Sequence, residues 1–199
     1  MSKVVVIGTG TMGIGIAAGF LASGANIVML GRAPEKALAC LDSIRSCADS
    51  INTDWPKVHP SLQSGSIESW QDWNDVDFVI ETVSEQLKLK QDIFTLLDQR
   101  VPPHIPIGSN SSGFPISDIA KDLPTSHRMF NTHYFMPAQI ALLVEVVLGE
   151  KSDPQIAEQI CNLYRAHGKK PVLVKRDIPG FLANRIQHAL MREALSLVQ

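Results

Sequence analysis

The chain has 199 residues, 45% hydrophobic and 19% charged, a globular composition long enough for one substantial domain or one domain and a fragment of another. A formal net charge of -2 offers no basic footprint for nucleic acid. No charged-then-apolar leader opens the chain, no apolar run nears the ~20 residues of a membrane helix, and Cys40, Cys47 and Cys161 lack a CxxC pair; the expected setting is a reducing cytoplasm, with neither disulfides nor a metal site.

Strand-like and helix-like runs alternate along the chain, the pattern of a parallel sheet flanked by helices. Val4–Ile7 reads as a buried strand, followed by GTGTMGIG and a helix from about Met12 to Ala22, closed by Ser23–Gly24. Gly8, Gly10 and Gly13 fall as G-x-G-x-x-G between strand and helix, the context a dinucleotide turn requires. Gly8 serves the tight turn, Gly10 lets the backbone approach a pyrophosphate, and Gly13 allows helix and strand to pack closely. The helix amino terminus then faces the anion, with Thr11 and Met12 completing the candidate phosphate-binding set.

Asn26–Leu30 reads as the second strand. A carboxylate at its end would ordinarily select NAD by holding the adenosine ribose, but the sequence there is LGRAPEK. Gly31 leaves room for a 2′-phosphate, Arg32 offers a planar donor, and Lys36 adds a second charge. The expected cofactor is therefore NAD(P), with NADP favoured; the alternative for Arg32 is a solvated loop residue. A helix is expected from Pro34, a favoured first-turn proline, to about Ser50, with Cys40 and Cys47 on one face. Residues 52–76 break the rhythm with Pro, Gly, Ser and three Trp. They predict a loop, a short strand near Ser66–Glu68 and one helical turn.

Alternation resumes with strand Asp77–Glu81, helix Gln86–Arg100, strand Ile105–Ser109, short helix Ile116–Lys121, strands Arg128–Phe135 and Leu142–Leu148, helix Pro154–His167 and strand Pro171–Lys175. Two of these strands pose a puzzle. One carries His133 and the other sets Glu145 among aliphatic residues in LLVEVV, where a carboxylate is costly unless something pairs with it. The last helix, Gly180–Gln199, carries Leu182, Ile186, Ala189, Leu190 and Leu197 along one stripe. That stripe is expected to fold back on its own sheet, or to pack against a second copy or a further domain.

Five blocks in order, GTGTMGIGIA, DFVIETVSEQLKLKQDIF, SNSSGFPISDI, THYFMPAQIALLVEVV and KRDIPGFLANRIQHALMREAL, resemble the 3-hydroxyacyl-CoA dehydrogenase family. The resemblance implies a doubly wound, Rossmann-type, mostly parallel α/β domain over residues 1–178. Residues 179–199 would begin a C-terminal all-α domain that contributes to substrate binding and forms a homodimer. It also implies His133 as the catalytic acid–base, Glu145 as its partner, and Ser112 and Asn184 as holders of the substrate oxygen. Glu85 and Lys90 match family positions on the nicotinamide side of the cofactor, and Ser112 is expected among the cofactor contacts as well. On their own pattern, Glu85 and Lys90 would be solvated helix residues.

Met136 stands where the family block H-x-x-N-P has asparagine, and the segment before Asp77 lacks the lysine-rich helical hairpin of acyl-CoA members. The expected activity is hydride transfer between a secondary alcohol, 3-hydroxyacyl-CoA or a smaller 3-hydroxy acid, and NAD(P). The alternative is a non-catalytic dinucleotide-binding module or inactive relative.

Overall fold

Residues 1–198 are described in a computed structural model. Strands β1 (Lys3–Ile7), β2 (Asn26–Gly31), β3 (Leu62–Ser66), β4 (Phe78–Glu81), β5 (Ile107–Ser109), β6 (Met129–Tyr134), β7 (Leu143–Leu148) and β8 (Lys170–Val174) form one sheet in the order β3-β2-β1-β4-β5-β6-β7-β8. Every neighbouring pair is parallel except β6 with β7. Helices α1 (Thr11–Ala22), α2 (Pro34–Ala39), α3 (Leu41–Asp49), α4 (Leu87–Arg100), α5 (Ile116–Ile119) and α6 (Pro154–Ala166) connect them, and α7 (Ala183–Ser196) follows β8.

This is a doubly wound α/β sheet, with a core on each face. One core holds Val4, Val6, Ile16, Leu21, Phe78 and Tyr164, and the other Val5, Val79, Phe94, Leu97 and Ile107. Burial on both faces explains why Val4–Ile7 of β1 and the first three residues of β4 are unbroken apolar runs. The strand order turns back on itself between β1 and β4, and the crevice at such a switch point, outside the carboxyl ends of the strands, is where open α/β sheets bind ligands.

Several expectations change. The short third strand lies at Leu62–Ser66 rather than Ser66–Glu68, paired with β2 from Ile27↔Leu62 to Gly31↔Ser66. As an edge strand reading LQSGS, it has no apolar run to announce it. The helix expected from Pro34 to Ser50 is two helices meeting at Cys40, whose thiol donates to the Lys36 carbonyl (3.1 Å) and the Thr9 carbonyl (3.6 Å).

The last helix does not fold back on the sheet. Residues 185–198 are all exposed, Ile186, Leu190, Leu195 and Leu197 among them; Gln199, the expected helix end, lies outside the described residues. No helix among the described residues is long and apolar enough to cross a membrane.

Candidate active site

The turn between β1 and α1 is built by what a side chain would hit. Gly8 has φ 117, and a Cβ there would stand 2.5 Å from Thr82 Oγ1. A Cβ on Gly13 would collide with the Gly8 carbonyl oxygen, whereas one on Gly10 would meet nothing within 4 Å. Gly10 is the N-cap of α1 and no side chain caps it, so the first N–H groups of the helix remain available to an anion. Thr11 is exposed there, and Met12 is half-buried against the core.

Beside the turn lies a cavity of about 360 Å³ whose lining includes Gly8, Gly10, Gly31, Arg32, Lys36 and Glu68. Gly31 is buried, and Arg32 and Lys36 are exposed on the rim. The tight glycine contacts, the uncapped helix and the open space at Gly10 fit a dinucleotide.

His133 and Glu145 are paired in register across β6 and β7. His133 is 4% and Glu145 1% exposed, and His133 Nδ1 lies 2.8 Å from Glu145 Oε2. The other carboxylate oxygen accepts the N–H groups of Leu182 (3.0 Å) and Ala183 (2.8 Å) at the start of α7. Burial raises the Glu145 pKa, but the His133 hydrogen bond, the N–H groups of Ala183 and Leu182 and the His133 charge outweigh it and hold the carboxyl below its ordinary range. Two aromatic rings flank the imidazole, Phe135 at 4.7 Å and Phe181 at 5.5 Å between centroids. Phe181 has φ 48, a left-handed conformation costing a non-glycine residue about 1–2 kcal/mol. Burial of its ring beside His133 offsets that cost.

Lys90 is not a solvated helix residue: it is 1% exposed. Its ammonium donates to Glu81 Oε1 (2.9 Å), Glu81 Oε2 (3.1 Å) and the Val83 carbonyl (3.3 Å), and lies 3.3 Å from Glu85 Oε2. Glu81 also accepts from Ser109 Oγ at 2.6 Å. Exposed Glu85 gathers the next loop, its Oε1 accepting from Ser111 Oγ (2.6 Å) and from the N–H groups of Ser112 (3.0 Å) and Gly113 (3.0 Å). Burial raises the Glu85 pKa, but these donors and Lys90 bring it below the ordinary value.

Glu81, Ser109 and Asn131 stand in one lateral row of register across β4, β5 and β6, a buried polar belt under the carboxyl edge of the sheet. Sequence reading missed Glu81, Ser109 and Ser111. The signal was present in FVIE, a carboxylate closing an apolar strand as Glu145 interrupts another.

Ser112 is exposed in the loop after β5, and its carbonyl accepts from Asn184 Nδ2 at 3.2 Å. The start of α7 links residues expected from three separate segments: Asn184 reaches the Ser112 carbonyl in the cleft over this loop, and the N–H groups of neighbouring Leu182 and Ala183 reach Glu145 of the His133 pair, which itself does not line that cleft. Gly31, Arg32 and Lys36 lie apart, along the glycine-turn cavity.

Residues 3–178 match the family model described as the 3-hydroxyacyl-CoA dehydrogenase, NAD binding domain. The chain belongs to the 3-hydroxyacyl-CoA dehydrogenase family. Among curated members it is 34% identical to the 5-formyl-3-hydroxy-2-methylpyridine 4-carboxylate 5-dehydrogenase of Mesorhizobium japonicum, over 99% of this chain and 65% of that protein. It is 33% identical to the L-carnitine dehydrogenase of Streptomyces griseus, over 98% of this chain and 59% of that one. The crystal structure of the Escherichia coli 3-hydroxybutyryl-CoA dehydrogenase superposes with a TM-score of 0.89 at 29% identity, covering 99% of this chain and 43% of that chain. The chain thus spans less than two thirds of the length of each of these relatives.

Against the family pattern, Met136 is 71% exposed where asparagine is usual. It directly precedes Pro137, with a cis peptide bond between them.

Proposed function

We propose that this chain is the dinucleotide-binding and acid–base part of an NAD(P)-dependent dehydrogenase that interconverts the secondary alcohol and the ketone of a hydroxy acid or its thioester. The observation that carries this reading is the buried His133–Glu145 pair, 2.8 Å apart at the carboxyl edge of the sheet. A pure binding module has no use for it.

With Nδ1 engaged by Glu145, His133 has Nε2 to take the hydroxyl proton in oxidation and to return it in reduction. Glu145 fixes the ring and steadies the imidazolium. Ser112 and Asn184 hold the substrate oxygen as neutral donors. The nicotinamide, when bound, accepts or supplies the hydride. Glu85 and Lys90 shape the wall on that side, with Lys90 acting through Glu81 and Glu85.

On this reading residues 1–178 are the dinucleotide-binding domain and residues 179–199 begin a helical domain, with which the protein forms a homodimer. Gly31, Arg32 and Lys36 support NADP as the preferred cofactor. Glu68, on the lining of the same cavity, is the feature that favours NAD, as an acceptor for a ribose hydroxyl.

The substrates named in the relatives, an aromatic carboxylate, carnitine and a 3-hydroxyacyl thioester, define the panel to test. Reduction of NAD+ or NADP+ is followed by nicotinamide absorbance with 3-hydroxy acids and their thioesters. Turnover of any member supports the reading; cofactor binding without turnover of any member supports the second reading, a non-catalytic module, which exposed Met136 favours. Tighter binding of NADH than NADPH assigns the ribose to Glu68 and returns Arg32 to the surface.

A further inference from the structure

The cleft over Ser112 is uneven in charge. It has a volume of about 670 Å³, with the Ser112–Gly113 loop on one side and α7 on the other. Arg185, His188 and Arg192 recur at intervals of three and four residues, so they share one face of the helix, and all three line the cleft. No carboxylate lines it with them. Arg45 and Arg165 are paired with Asp42 and Glu158, but among the described residues neither Arg185 nor Arg192 has an ion-pair partner. Glu85, below the loop, is already committed to Lys90, Ser111 and the N–H groups of Ser112 and Gly113.

The placement of these cations matters as much as their number. Arg185 follows Asn184, whose amide donates to the Ser112 carbonyl, so the cationic wall starts where the substrate oxygen is expected. At a rise of 1.5 Å per residue the wall runs about 10 Å from Arg185 to Arg192, and Met191 and Leu195 line the cleft beside it. Apolar side chains suit a short carbon skeleton. Unpaired guanidinium forks suit a planar anion at its far end, since they match a carboxylate with two parallel N–H bonds.

The geometry points to a carboxylate on the substrate itself, held along the wall that runs from Arg185 to Arg192. The substrate class is then a short hydroxy acid with a free carboxylate, in preference to a neutral alcohol or a thioester. This rests on the dehydrogenase reading for which carbon reacts, but the binding preference is measurable without turnover.

In the presence of NAD+, which cannot reduce a ketone, calorimetric titration with acetoacetate, acetoacetamide and acetoacetyl-CoA reads affinity alone. Acetoacetate is expected to bind at least about tenfold more tightly than the amide, the scale of a charge-assisted contact. In the Arg185→Gln/Arg192→Gln double variant that ratio should fall to near one, with the melting temperature held because both side chains are exposed.

Equal affinity for acid and amide, or no acetoacetate binding, overturns the proposal. So does a double variant that loses acetoacetyl-CoA while keeping the preference for the acid, because the arginines would then be reading a coenzyme phosphate. Failure of every alcohol to reduce either nicotinamide would sink the dehydrogenase reading while leaving the measured acid-to-amide ratio intact.

Discussion

His133 and Glu145 are directly opposed residues of two antiparallel strands, and the pair faces the same side of the sheet as the Glu81–Lys90 ion pair beneath the neighbouring loop. Because the ladder holds both backbones, replacing the imidazole removes an acid–base group without removing the frame. His133→Asn is expected to lower turnover by about 10²–10⁴, the usual share of a general base, while dinucleotide affinity by fluorescence titration stays within a few-fold. An equal loss of dinucleotide affinity would make His133 a structural residue.

The depressed Glu145 pKa has a consequence for stability. Burial alone would raise it, but the His133 hydrogen bond, the N–H groups of Ala183 and Leu182 and the His133 charge hold it below the ordinary value of 4.5. A carboxyl whose folded pKa lies below its unfolded pKa stabilises above the unfolded value and loses that contribution as pH falls through the folded one. The melting temperature should therefore fall as the solution is acidified below 4.5, and less steeply in Glu145→Gln. Identical acid-side slopes in the two proteins would remove Glu145 from this account.

Breaking the buried pair from one side should cost more than removing it. Lys90→Met leaves Glu81 buried without its cation, a loss of about 3–5 kcal/mol. At about 2–4 °C per kcal/mol for a chain of this size, the melting temperature should drop by roughly 6–20 °C. Glu81→Leu together with Lys90→Met should recover most of the drop. A double variant no better than the single one would show that Ser109 and the 111–113 loop, rather than the charge, carry the cost.

The glycines of the phosphate turn should separate folding from binding. Gly10→Ala places its methyl in open space, so the melting temperature should hold while dinucleotide affinity falls at least about tenfold, the methyl standing where the pyrophosphate approaches. Gly13→Ala drives a methyl into the Gly8 carbonyl and should lower both. Dinucleotide affinity unchanged in Gly10→Ala would place the pyrophosphate elsewhere.

What was legible in the sequence was whatever had a local cause. The apolar runs of β1 and β4 announce strands buried on both faces, and Gly8, Gly10 and Gly13 fix the turn between strand and helix. His133 with Glu145 stood out because a carboxylate inside LLVEVV needs a partner. Polar β3 had no such signature, since its place depends on β2 offering a free edge. On its own pattern Lys90 was misjudged because LKLKQD gives no sign of which lysine points inward; Glu81 at the end of β4 and Glu85 in the loop after it draw this one in.

Glu145 serves two masters with its two oxygens, and that ties two distant parts of the chain together. The oxygen facing His133 meets its partner across β6 and β7, 12 positions away in the chain. The other accepts from Leu182 and Ala183, 37 and 38 positions further along. The sheet through β8 ends at Val174, so without the segment that follows it this carboxylate would be half-satisfied. Loss of the first turn of α7 would strip two donors from Glu145 and withdraw Asn184 from the Ser112 carbonyl together, so one short segment supports both the buried pair and the cleft over the loop.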